Sequence, residues 1–142
     1  MEIEQLCSVI VDCGYHLHRD VGPGLLETAY ETILASQLQA KGLVVNRQLP
    51  IDIIYNQQLV TSAFRQDLLV DNRVIIELKS SEQMQPVFSK QVITYLRLTG
   101  LSHGFVMNFG MATFKDGCRR LLNDPDLFVP LWLRANQIQD EH

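Results

Sequence analysis

Long hydrophobic runs are missing from this chain: nowhere in its 142 residues is there a stretch near the ~18 successive apolar residues of a membrane span. A secretory start is missing too, because Met1-Glu2-Ile3-Glu4-Gln5 is acidic where a signal peptide is basic. Cysteine is sparse. Cys7, Cys13 and Cys118 are odd in number and show no CxxC spacing, so neither a disulfide framework nor a thiolate zinc site is indicated. Reduced cysteines and the lack of a leader predict a cytoplasmic protein. Basic excess is also lacking, with a net charge of −4, which argues against a protein that coats nucleic acid nonspecifically. It does not exclude an enzyme acting on nucleic acid, since a carboxylate site that binds a divalent cation makes its own local charge. Internal repeats and low-complexity segments are absent. What is left, 46% hydrophobic residues against 20% charged, is the balance of one globular domain large enough for a real core.

The apolar spacing of Leu6, Ile10, Cys13 and Leu17 predicts a helix over about 4–19. Gly22-Pro23-Gly24 interrupts it, and a second helix is expected over 25–40, closed by Lys41-Gly42. From Leu43 the period changes toward two. Strands are expected at 43–45, 51–55, 59–60, 63–70 and 74–79, with turns at Asn56-Gln57 and Asp71-Asn72-Arg73. Pro86 opens a third helix that Gly100 stops near Thr99. His103 to Asn108 reads as a short strand and 115–122 as a helix or strand. The apolar stretch 127–133 with Trp132 is expected to cover core or to make an oligomer contact, and 137–142 is a polar tail. The order α, α, several β, α, β predicts an α/β (α+β) fold with a central mixed sheet flanked by helices. One domain is expected over 1–142, its core about 5–122 and its C-terminal extension 123–142.

The most informative stretch is Val74-Ile75-Ile76-Glu77-Leu78-Lys79. Side chains of a strand alternate, so Ile75, Glu77 and Lys79 share one face and Val74, Ile76 and Leu78 the other. Two charges thus sit inside an otherwise apolar strand, and burying charge is costly unless it is paired or bound to a metal. If Val70 pairs with Val74 across a three-residue loop, Asp67 lies opposite Glu77 and Arg65 opposite Lys79, with Cβ atoms about 4.5–5.5 Å apart. A one-residue slip would undo this. Two carboxylates that close repel unless a cation lies between them. Oxygen ligands from neighbouring strands suit Mg²⁺ or Mn²⁺. Such an ion with a nearby lysine serves phosphodiester hydrolysis.

These residues carry a resemblance. Asp67 followed by Glu77-Leu78-Lys79 resembles the D…(D/E)xK signature of the PD-(D/E)xK nuclease superfamily. Gly24-Leu25-Leu26-Glu27-Thr28-Ala29-Tyr30 resembles the GxxExxY motif that names one branch of it. Phe64-Arg65-Gln66-Asp67, the helix carrying Gln91 and Tyr95, and Asn108-Phe109-Gly110 are similar to further features of that branch. The resemblance spans about residues 5–122, with Gln66 standing where the superfamily sometimes has proline. It implies a restriction-endonuclease-like αβββαβ core with the site on the central sheet. It also implies a nuclease acting on DNA with Mg²⁺ or Mn²⁺. In that reading Asp67 and Glu77 are metal ligands, Lys79 is the catalytic lysine, Glu27 is a further ligand or a water-mediated one, and Gln91 places substrate or water.

Plainer readings stand beside these. Glu27 is also a first-turn acid that the helix dipole favours. Arg65 either contacts phosphate or pairs with Asp67. Tyr30 either bonds a site carboxylate or packs in the core. His18, which matches a histidine common in the branch, either meets substrate phosphate or has a capping or surface role. Tyr95 shares an inward face with Gln91, a glutamine that needs partners if buried. At the level of function the alternative to a nuclease is a non-catalytic nuclease-fold module or accessory subunit. Such a module would keep the site for stability or for a protein partner, and an accessory subunit would become active only with a DNA-binding partner. A homo-oligomer is expected only from the contact of the 127–133 stretch.

Overall fold

The computed structural model describes residues 1–123 and the backbone of 133–135. Trp132 and the polar tail 137–142 lie outside the described residues. Two helices lead, α1 (Ile3–Val21) and α2 (Glu27–Ala40). Three strands follow, β1 (Val45–Tyr55), β2 (Gln58–Val70) and β3 (Val74–Lys79). Then come α3 (Pro86–Thr99), β4 (His103–Asn108), the single turn α4 (Phe114–Gly117), β5 (Cys118–Leu122) and β6 (Leu133–Ala135). The six strands form one sheet in the order β5-β4-β3-β2-β1-β6. Only β3 and β4 run parallel among these neighbours; the others pair antiparallel. Parallel neighbours need a long crossover, and α3 supplies it. The α/β (α+β) expectation, a mixed sheet flanked by helices, is what the chain adopts.

The alternation of β3 sorts the layers. Val74, Ile76 and Leu78 pack with Leu6, Ile10, Leu17, Leu34 and Leu38 of α1 and α2. Ile75 packs with Val92, Tyr95 and Leu96 of α3. Helices cover both faces, so all six residues of β3 except Lys79 are buried. This is the setting that makes Glu77 expensive.

Several boundaries differ from expectation for local reasons. The short strands expected over 43–60 are one long hairpin, because Asn56 and Gln57 both take positive φ, 49° and 68°. That pair of conformations is the tight turn whose twist suits two continuing strands. Helix α2 starts at Glu27, two residues late, because Leu25 and Leu26 belong to the loop. The segment 115–122 is neither helix nor strand alone but the turn α4 followed by β5. The apolar face of α3 is Phe88, Val92, Tyr95 and Leu96, while Val87 is exposed. The strand β6, which pairs Ile53 with Ala135, had no signal of its own. Among the described residues no helix is long and apolar enough to cross a membrane. The cysteines are free, and burial pushes the Cys7 and Cys13 thiols up and that of Cys118 to about 11.

Candidate functional site

The site begins where a ladder stops. Strands β2 and β3 pair at Val70–Val74, Leu69–Ile75 and Leu68–Ile76. The three-residue loop is the expected one, so the register is the expected one. Beyond Leu68 the backbone ladder gives way to side chains. The Asp67 N–H donates to Glu77 Oε1 at 3.2 Å, and the Leu78 N–H donates to Asp67 Oδ2 at 2.9 Å. The two carboxylates therefore occupy the opening between the strands and satisfy the backbone groups that the lost ladder would leave bare. Arg65 is not opposite Lys79. It pairs with Pro50 of β1, and Lys79 pairs with Asn108 of β4. The reason is the same opening, which ends the β2–β3 register before it reaches either residue.

Glu77 is 4% exposed. Burial, and then the charge of Asp67, push its carboxyl up to about 9. The acid thus holds a proton in a dry position beside a second carboxylate, the pattern of two acids that cannot both ionise without a cation. Lys79 lies at the end of β3 with its Nζ 5.0 Å from the centre of the Phe88 ring, within cation–π range. Its alternation with Glu77 keeps both on the α3 side. Tyr95 stacks on Phe64 with ring centres 4.1 Å apart. Burial followed by the charge of Glu77 pushes its phenol up, and the Gln91 side chain opposes that shift. Gln91 and Tyr95 are thereby within the field of the acid pair.

The other expected site residues have different surroundings. Glu27 is exposed in the first turn of α2. It lines a shallow groove with Leu25, Leu26, Thr28 and Ser80, so it borders the residue after Lys79 and does not join Asp67 and Glu77. Among the described residues no group of three or more Asp, Glu, His or Cys side chains gathers to hold an ion. Arg65 is exposed and forms no ion pair with Asp67. Tyr30 is fully buried. Its hydroxyl donates to the Gly22 carbonyl and accepts from the Leu25 N–H at 3.2 Å, and its ring stacks on Phe109 at 4.6 Å. That commits Tyr30 to holding the Gly22–Leu25 loop instead of meeting substrate. His18 is 7% exposed and donates from Nε2 to the Met111 carbonyl at 2.8 Å. It too ties elements together.

Two sets of contacts were not anticipated from the sequence. Asn108 is 2% exposed. Its Oδ1 accepts from the Ser81 and Gly110 N–H groups at 2.9 and 3.0 Å, and its Nδ2 donates to the Gln83 carbonyl at 3.2 Å. The loop after Lys79 is hung on this one amide, and a Cβ on Gly110 would fall on the Ser81 backbone. The second set lies on α2 and β1. Glu31, 4% exposed, accepts from Arg47 Nε at 3.0 Å and from Gln48 Nε2, and Gln48 Nε2 also donates to Asp67 Oδ1 at 3.3 Å. The N-R-Q spacing at 46–48 gave no periodic signal. The fact that Glu31 falls one turn after Glu27 was the only available hint.

The profile of the PD-(D/E)XK nuclease superfamily matches residues 4–121. No curated protein and no solved structure matches the chain. The match covers most of the sequence, and the residues it spans include the opening between β2 and β3 with Asp67, Glu77 and Lys79. The chain belongs to the PD-(D/E)XK nuclease superfamily.

Proposed function

We propose that this chain is a metal-dependent phosphodiesterase of the GxxExxY branch, hydrolysing nucleic acid and DNA foremost. The observation that supports the reading is the meeting of Asp67 and Glu77 in the opened ladder, with Lys79 on the same side of β3. The donor set fits a hard divalent cation, Mg²⁺ or Mn²⁺. It offers carboxylate oxygens from two strands whose mutual repulsion a double positive charge relieves. Asp67 and Glu77 would hold the ion, and Glu27 would stay at its groove outside the pair. When bound, such an ion supplies Lewis acidity and positive charge at the scissile phosphate.

The chain's own residues do the rest. Lys79, steadied by the Phe88 ring, orients the attacking water and offsets charge that develops on the phosphoryl oxygens. Gln91, one turn before Tyr95 on α3, directs an amide toward substrate or water. Exposed Arg65 meets the phosphate backbone. A rival reading, a non-catalytic module acting through a protein partner or a second copy, draws on the net charge of −4. That charge gives little general attraction for a polyanion.

The test is Mn²⁺-dependent cleavage of single-stranded, duplex and branched DNA and RNA, run beside Lys79→Ala and Asp67→Ala. Cleavage abolished in both variants supports the nuclease. Cleavage unchanged in Lys79→Ala, or none of any substrate by the parent protein, overturns it in favour of the module.

A further inference from the structure

Gln48 stands at a break in β1. Its neighbours Arg47 and Leu49 pair with Leu68 and Gln66 of β2, so Gln48 lies across from Asp67. Its φ is 51°, the left-handed region that non-glycine residues avoid. A residue in ordinary extended conformation would keep its side chain on one face of the sheet. The left-handed bend instead lets one amide nitrogen reach a carboxylate of α2 and a carboxylate of β2 together. It donates to Glu31 Oε1 and to Asp67 Oδ1, the latter at 3.3 Å.

The anchor is well built. Glu31 is buried and its other oxygen, Oε2, takes the Arg47 guanidinium at 2.9 and 3.0 Å. Both Glu31 oxygens are thus engaged, which makes this acid a support for Gln48 and not a ligand. Asp67 is held from two sides, by Gln48 on Oδ1 and by the Leu78 N–H on Oδ2. An amide is the right chemistry for such a support. It donates a hydrogen bond yet carries no charge, so it orients the carboxylate without neutralising it. A lysine or arginine there would compete with a bound cation. Strained backbone persists where surrounding structure enforces it, and it gathers at functional sites.

We infer that Gln48 is a positioning residue for the cation site: anchored on the Glu31–Arg47 pair, it fixes the Asp67 carboxylate in its ligating orientation. The inference rests on the cation-site reading proposed above. It predicts an unusual pairing of effects. Glycine adopts φ near 51° without strain, and asparagine tolerates it better than most residues but is one methylene too short to bridge Glu31 and Asp67.

The experiment is calorimetric titration of the full chain with Mn²⁺ alone, for the parent protein, Gln48→Gly and Gln48→Asn, with metal-free melting temperature measured beside it. The expected result is Mn²⁺ affinity weakened about 10- to 100-fold in both variants, the usual cost of removing a support behind a ligand. Metal-free melting should fall by a few degrees at most, because release of the left-handed strain offsets part of the cost of baring one Glu31 oxygen. Parent-level Mn²⁺ affinity in Gln48→Gly overturns the inference. So does a loss of affinity accompanied by a fall of more than about 10 °C in metal-free melting temperature, which would make Gln48 a support of the fold. A parent protein that takes up no Mn²⁺ defeats the cation-site reading itself, an outcome distinct from either.

Discussion

Replacing Glu77 with glutamine should stabilise the metal-free protein at neutral pH and leave it unchanged in acid. The Glu77 carboxyl is pushed from 4.5 up to about 9, by burial and then by Asp67. In the unfolded chain the acid ionises near its ordinary value; in the folded chain it keeps its proton. The folded state therefore binds more protons than the unfolded state between these values. Stability is fully present below about pH 4.5 and is lost as pH rises toward 9. Each pH unit costs about 1.4 kcal/mol, so by pH 7 the loss is about 3 kcal/mol. For a chain of this size that is on the order of 10 °C in melting temperature. Glutamine has the shape of the protonated acid, can accept from the Asp67 N–H and does not titrate. The assay is thermal or urea unfolding of both proteins in chelator across pH 4.5 to 8. Other titrating groups act equally on both and cancel in the difference. The variant should pull ahead steadily as pH rises. Parallel curves, with a constant gap, would refute the claim that Glu77 is a buried acid held neutral by its surroundings. Added Mn²⁺ should narrow the gap by raising the parent protein alone.

Further predictions follow from individual contacts. Lys79→Ala should lower Mn²⁺-dependent cleavage at least 100-fold while calorimetric Mn²⁺ affinity stays within about threefold, because the amine is not a ligand. Tyr30→Phe should cost about 1–2 kcal/mol in urea unfolding by leaving the Gly22 carbonyl and the Leu25 N–H without their partner. Its cleavage should remain, and a lost activity would restore Tyr30 to the substrate. Asn108→Ala should cost about 2–3 kcal/mol, since it orphans the Ser81 and Gly110 N–H groups together. Hydrogen exchange should then rise in the loop after Lys79.

Much of the layout was legible because it is written at short range. The spacing of Leu6, Ile10, Cys13 and Leu17 is the buried stripe of α1, and Pro86 and Gly100 bound α3 where their backbone chemistry demands. The turn at Asp71-Asn72-Arg73 gave the register that brings Asp67 to Glu77. Tyr30 and His18 were read toward the substrate because their motif positions adjoin the site. What places them in the core is the Gly22–Leu25 loop and the Met111 carbonyl. Neither partner has any periodic relation to them.

Two things about this protein came from the sequence alone. One is the sharing of a sheet face by Glu77 and Lys79, because alternation along a strand is a property of each residue and its neighbours. The other is the composition of the acid pair, because a carboxylate inside an apolar strand needs a partner. Tertiary structure alone decided that the β2–β3 ladder opens at Asp67. It alone recruited Glu31 through a left-handed glutamine, and hung the loop after Lys79 on Asn108. The reason is physical. An exchange of ladder bonds for side-chain bonds, or a strained φ, is a small local cost that becomes favourable only when distant elements arrive together.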